Sequence, residues 1–252
     1  MHKTTYLKIS RVYHALCTTK LLSACPCNIV ILPVEILKKS SKDTKYSLYR
    51  TINRGYDVPR LKYGIIVSPR VHSLETLFSD LGFDKNIEKS SLYLLLNDPT
   101  LAYPNFHEHF EQLKGETNKD LSLPTYYIPK VQFLTEAFDS EHTLATIGYK
   151  PNNKESYEIT GFTSMGNGYG IKLFNYSVIH MMRSHKCKRV VADIIMEHDL
   201  LGYYEKKLGF VEVQRFKVLK EQHQVKVFDD KVDFTKDFHV IKMIKELGNH
   251  RL

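Results

Sequence analysis

Cysteine is scarce in this chain. Four residues, Cys17, Cys25, Cys27 and Cys187, in a length of 252 do not make a disulfide framework. Cys25-Pro26-Cys27 has no second close pair, so the usual zinc spacing is missing and reduced thiols in an intracellular protein are expected. Acidic residues are absent from residues 1–34, which carry Lys3, Lys8, Arg11 and Lys20 among several Ser and Thr. That composition suits a mitochondrial presequence, and equally a short basic extension packed on the domain. No clean apolar core precedes a small-residue cleavage site, which excludes a secretory signal. Long apolar runs are absent too. The longest, near Cys27–Leu37, is broken by Pro33 and Glu35, so no membrane partner is expected. Basic clusters are also lacking. The net charge is +8, but Lys and Arg are scattered, which argues for a solvated surface and against a nucleic-acid partner. The expected location is the cytoplasm or nucleus, or the mitochondrion if the first residues are a presequence.

What is present is an ordinary globular balance, 42% hydrophobic and 25% charged, enough for one large domain or two small ones. Residues 1–27 read as the basic extension and 28–252 as the folded domain. Ile29-Val30-Ile31-Leu32-Pro33-Val34 is the first strand. Ser40-Ser41-Lys42-Asp43 starts a helix whose core face is Leu48, Tyr49, Ile52 and Tyr56. A second helix is predicted from Leu74, Leu77, Phe78 and Leu81, with Ser73 as N-cap and Gly82 as stop. Ser91–Leu96 is a buried strand. Residues 98–141, broken by Pro99, Pro104, Pro124 and Pro129, read as a long unpatterned insertion that, with the loop 220–237, shapes an acceptor pocket. His107-Glu108-His109 lies within it without a further ligand at a familiar spacing, so no metal is expected. Further strands follow at Thr143–Tyr149, Tyr157–Phe162, Arg189–Met196, about Val211–Leu219 and Phe238–Ile244.

Chemistry points to the stretch Tyr157–Phe210. A strand runs into Met165-Gly166-Asn167-Gly168-Tyr169-Gly170, then an amphipathic helix from about Ile171 to Ser184, then a buried strand. Glycines before a helix allow positive φ and close approach, and the helix start attracts an anion. A pyrophosphate is the natural guest, although the same glycines also suit a plain tight turn. Gly170-Ile171-Lys172 does not complete a Walker loop. The glycines come too late in the chain for a dinucleotide fold, and no G-x-S-x-G elbow is present.

The combination resembles the GNAT N-acetyltransferase superfamily. Its loop pattern Arg/Gln-x-x-Gly-x-Gly/Ala is met at Gly168 and Gly170, Leu173 sits where the helix carries a leucine, and Tyr204…Gly209-Phe210 matches its later landmark. The resemblance covers roughly residues 28–247. It implies an α/β (α+β) domain with a mixed twisted sheet of about seven strands, splayed between the fourth and fifth and flanked by about four helices. The implied order is strand, two helices, three strands, helix, strand, helix, two strands. It implies acetyl-coenzyme A as cosubstrate and transfer of its acetyl group to a primary amine, on a small molecule or a protein. Phe162, Thr163, Gly166, Asn167, Gly168, Tyr169, Gly170 and Ile171 would hold that cosubstrate. Tyr204 would be the acid for the departing thiolate, with Tyr203 as fallback. Glu158 would be the base, with Glu197 and His198 as rivals. Three departures stand out: Met165 replaces the Arg or Gln, the span from Glu158 to Gly170 is short, and one extra residue separates Tyr204 from Gly209. Met165 and the short span favour a second reading, a GNAT-like protein that is catalytically weak or inactive and works by binding coenzyme A or protein, while Tyr204 and Glu158 favour the enzyme. The oligomeric state is open.

Overall fold

The continuous apolar runs of the sequence are strands covered on both faces. The computed structural model describes residues 27–113, 123–128, 134–166, 168–221 and 232–248. Its strands are β1 (Asn28–Pro33), β2 (Ser91–Leu96), β3 (Glu111–Gln112), β4 (Thr125–Tyr127), β5 (Thr143–Pro151), β6 (Ser156–Ser164), β7 (Arg189–Ile195), β8 (Val211–Val218) and β9 (Phe238–Glu246). Its longer helices are α1 (Val34–Lys39), α2 (Lys42–Tyr63) and α3 (Tyr169–His185). All nine strands form one mixed sheet in the order β3-β4-β1-β2-β5-β6-β7-β9-β8. Ile29, Ile31, Tyr93 and Leu95 join the core beneath α3, while Val30, Leu32, Leu92 and Leu94 join the core beneath α1 and the start of α2. The alternation within β1 and β2 therefore feeds two cores from one sheet.

The element order is the implied one, but the strand count is nine rather than seven. The two additional strands, β3 and β4, lie in the insertion read as unpatterned. β4 runs parallel to β1, and β3 closes that edge. Prolines start structure there instead of preventing it: Asp98 Oδ1 accepts from Thr100 N at 2.9 Å and caps a one-turn helix with Pro99 in its first turn. Tyr103, Phe106, Phe110 and Phe138 of the insertion are buried together in the core under α1. The insertion thus extends the sheet at the edge beyond β1, with β1, β2 and β5 between it and β6. Its aromatic residues pack as core, and Glu141 at its end pairs with Arg54 of α2 at 2.7 Å.

The helix predicted from Leu74 shrinks to a single turn, Leu77–Asp80. Local side chains compete for its first turn: Thr76 N bonds Ser73 Oγ at 3.2 Å, and Asp80 Oδ2 accepts from His72 N at 2.7 Å. Ser41 does cap α2, accepting from Thr44 N at 3.1 Å, and Leu48 and Ile52 are fully buried.

The feature that positions the site is a parting of strands. β6 and β7 are parallel and share three register pairs, ending at Glu158↔Val191. β7 then stays with β9 as far as Ile195↔Val240, while β6 bends away. Thr146 pairs with Thr163 and Gly148 with Thr160, so β6 carries one residue more than β5 over this stretch. The bulge lies at Gly161, whose φ is +55°. Gly55 of α2 faces the bent end of β6; a Cβ there would stand 2.4 Å from Thr163 Cβ, so only glycine lets the helix lie this close.

On the other face, Tyr93 Oη and His180 Nδ1 hydrogen-bond at 2.8 Å, and His180 Nε2 lies 3.1 Å from Ser184 Oγ. Burial lowers the His180 pKa from 6.5 to about 4, so the ring is neutral at pH 7. Between those values the unfolded chain holds a proton that the folded chain refuses. Stability therefore falls as pH drops through that window, by roughly 2–3 kcal/mol. His180→Gln should flatten this part of the profile in urea denaturation between pH 7 and 4, whereas an unchanged slope would place the acid sensitivity in other groups.

Candidate active site

β6 delivers its last residues to the glycine turn, and β7 delivers its last residues to the tyrosine pair. At the turn, Gly166 has φ +106° and Gly168, the N-cap of α3, has φ +73°. A Cβ added at either would meet nothing within 4 Å, so both face open space and glycine is required by conformation. The first turn of α3 has no acidic residue to offset the positive end of its dipole. Two of the implied amides are already engaged: Tyr169 N donates to Gly166 O at 3.1 Å, and Gly170 N to Ser164 Oγ at 3.0 Å. Among the described residues nothing accepts from the amides of Gly166 or Gly168. These two amides in an open cradle fit a phosphate. Asn167 lies outside the described residues. Phe162 is half-buried against Phe174 and Tyr204, Thr163 is buried with its hydroxyl 2.8 Å from that of Thr146, and Ile171 packs on the core beneath α3. Met165 N donates to Leu144 O at 2.9 Å, which pins the turn to β5.

After β7 the chain makes a short turn at Met196–His198, reverses at Asp199 in the left-handed region, and enters a helix at Leu201–Tyr203. That helix widens to a π turn at Tyr204–Leu208 before Gly209 ends it at φ +74°. The extra residue counted between Tyr204 and Gly209 is absorbed there, by a turn one residue wider than an α turn. Lys245 Nζ donates to Leu208 O at 2.6 Å and caps the wide turn. Tyr204 is 7% exposed and sits edge-on to Phe162, with centroids 6.3 Å apart. Among the described residues its hydroxyl has no hydrogen-bond partner. Burial, and then the phenols of Tyr56, Tyr203 and Tyr149, push its pKa well above the usual tyrosine value, so it is protonated at neutral pH. Tyr203 reaches the other way: its Oη is 2.9 Å from where a Gly170 Cβ would stand. It forms a wall against the glycine turn, and burial raises its pKa.

Three base candidates occupy different settings. Glu158, at the point where the strands part, lies 3.1 Å from the ammonium of Lys150, which is 8% exposed. Glu197 accepts from His239 N at 3.0 Å and lies 2.8 Å from His239 Nδ1, so β9 holds it. His198 stacks on Tyr63, the last residue of α2, with centroids 5.3 Å apart at 22°. Burial lowers the His198 pKa, and its buried Nε2 has no partner. Tyr63 Oη donates to Asp199 Oδ2 at 2.8 Å, tying α2 to the end of β7. The described end of the expected acceptor loop closes over this side: Ile66 bridges Phe234, Thr235 N donates to Ile65 O at 3.0 Å, and Val67 N to Asp233 O at 2.9 Å. His107 and Glu108 are exposed, and no group of three metal-ligating side chains occurs among the described residues.

Sequence reasoning missed Lys150, Ser164 and Tyr63. The first was within reach, since the Pro151-Asn152-Asn153 turn sets a hairpin register that pairs Lys150 with Glu158. The other two carry no local signal. Replacing Lys150 by methionine leaves the Glu158 carboxylate unpaired and should cost about 2 kcal/mol. Adding Glu158→Gln should recover part of that loss in a urea double-mutant cycle, and strict additivity would show the pair to be uncoupled.

A family described as sporulation protein RMD6 matches residues 22–247. Sporulation protein RMD6 of Saccharomyces cerevisiae (strain ATCC 204508 / S288c) is 99% identical over 231 residues, covering 92% of this chain and 100% of that protein. Among solved structures, a probable acetyltransferase from Staphylococcus epidermidis ATCC 12228 superposes with TM-score 0.46 at 12% identity, over 88% of this chain and 99% of that one. The NatC complex bound to Gag peptide and CoA gives 0.45 at 14%, over 88% and 99%. A GNAT family acetyltransferase from Elizabethkingia anophelis with acetyl-CoA bound gives 0.37 at 14%, over 66% and 81%. Scores and identities this low carry nothing about ligand or activity, whereas the family match spans both the parted strands and the tyrosine pair. The chain belongs to the sporulation protein RMD6 family.

Proposed function

We propose that this protein transfers the acetyl group of acetyl-coenzyme A to a primary amine. The observation that carries the reading is the parting of β6 from β7, with two further features beside it. An open glycine cradle lies at the end of β6, an unpaired strand edge follows from Glu158 onward, and a buried phenol without a partner stands beyond β7. In this reading the amides of Gly166 and Gly168 and the start of α3 hold the diphosphate. Phe162 and Thr163 flank the pantetheine arm, whose amides bond the β6 edge that β7 leaves free. Asn167 and Ile171 are assigned to the same cosubstrate, while Tyr169 and Gly170 shape the turn without giving their amides.

The amine must lose a proton to attack the thioester carbonyl carbon. His198 is the preferred acceptor, since it is neutral and offers an unpartnered nitrogen. Glu158 and Glu197 are held by Lys150 and His239. As the carbon–sulfur bond breaks, the sulfur takes the electron pair, and the Tyr204 hydroxyl donates a hydrogen bond to it. The raised pKa keeps that proton available at every physiological pH. The sulfur takes the Tyr204 proton and coenzyme A leaves as the thiol; the second proton of the attacking nitrogen replaces it on Tyr204, and the amide product keeps the acetyl group. The name of the yeast relative speaks of sporulation, and we assign the same process to this chain.

A second reading, binding of coenzyme A without turnover, is favoured by the Ser164–Gly170 bond and by Met165. Thiol release with a panel of small and peptidyl amines, paired with calorimetry, separates the two. Heat without thiol release supports the second, and no heat with acetyl-coenzyme A removes both. Tyr204→Phe should slow turnover about 100-fold with binding unchanged, and full activity in that variant would take the phenol out of the reaction. Gly168→Asp should abolish binding through charge and bulk, whereas retained affinity would move the diphosphate away from the turn.

A further inference from the structure

The end of β6 remote from the glycine turn borders an open surface cavity of about 530 Å³ between the β5–β6 hairpin, the turn before β2 and the C-terminus of α3, most of whose lining residues are exposed. Its lining includes Asn86, Lys89, Asn152, Lys154, Tyr157 and His185, and no carboxylate. Lys89 and Lys154 come from separate elements, and neither has an ion-pair partner among the described residues. The nearby Glu155 is held by Lys188 at 2.7 Å. Tyr157 is 5% exposed and packs its ring against His185 at 5.8 Å, yet its hydroxyl bonds no described residue. The side-chain amides of Asn86 and Asn152 and the ring of His185 are likewise without hydrogen-bond partners. The hairpin that carries Lys154 is fixed, since Asn152 N and Asn153 N both donate to Ser156 O, at 2.9 and 3.2 Å. Two exposed lysines, of which Lys154 also feels the Glu155 carboxylate, and several polar groups thus line a space of ligand size.

We propose that this cavity binds the phosphate monoester of a small hydroxylated metabolite. Lys89 and Lys154 are carried by separate elements and the lining holds no carboxylate, so the site suits a dianion, and a phosphate monoester offers three terminal oxygens where a carboxylate offers two. Tyr157 stays protonated because burial raises its pKa, so it donates; His185 stays neutral because burial lowers its pKa, so it can accept from a hydroxyl. This site does not depend on acetyl transfer.

Calorimetry on the full chain tests it with ribose 5-phosphate, inorganic phosphate, ribose and malonate as probes. Ribose 5-phosphate should bind, phosphate more weakly, and ribose and malonate not measurably. The double variant Lys89→Glu/Lys154→Glu, at two exposed positions, should lose at least tenfold in affinity for ribose 5-phosphate, and Tyr157→Phe about fivefold. Gly168→Asp should bind it as the parent does. The proposal fails if neither phosphate probe gives heat, or if malonate binds as tightly as phosphate. It fails also if the lysine variant keeps its affinity while melting normally, or if Gly168→Asp alone abolishes the signal.

Discussion

The parting of β6 from β7 after Glu158 governs the arrangement of the molecule. Two parallel strands that share three pairs and then diverge leave backbone donors and acceptors facing a gap. A sheet tolerates this when each strand keeps another partner, and here β5 holds β6 while β9 holds β7. The bulge at Gly161 supplies the bend, Gly55 lets α2 follow it, and Thr146 secures the bent segment by donating to Gly161 O at 2.6 Å. The glycine turn and the tyrosine helix are the two lips of that gap.

Electrostatics then sort the polar groups around the gap. Carboxylates near it are spoken for: Glu158 by Lys150, Glu197 by His239, Asp199 by Tyr63. The phenol of Tyr204 and the half-buried imidazole of His198 are neutral, and His198 Nε2 has no hydrogen-bond partner among the described residues. For the proposed acetyl transfer, neutral donors and acceptors suit a neutral amine and a neutral thioester.

Much of the frame was legible in the sequence because it rests on periodicity. β1 and β2 announce themselves as apolar runs, and Leu48 and Ile52 of α2 as a helical face. β3 and β4 escaped because two or three residues are too few for a period, and proline density disguised an aromatic core. The helix expected from Leu74 failed because Ser73, Thr76 and Asp80 bond the loop around them. At the site, the glycines and the tyrosine pair were legible as motifs. Their occupancy was not: the Ser164 hydroxyl on Gly170 and the Tyr203 wall arise from the fold, and no spacing encodes them.

The wide turn at Tyr204–Leu208 changes how such a motif should be measured. It stores one residue of slack while Phe210 N still donates to Tyr204 O at 3.0 Å and the two rings stay 5.4 Å apart. Chains that gain or lose a residue there can keep both ends of the segment in place, so counting letters between tyrosine and glycine is a poor ruler. The bond that closes the loop is the invariant worth comparing.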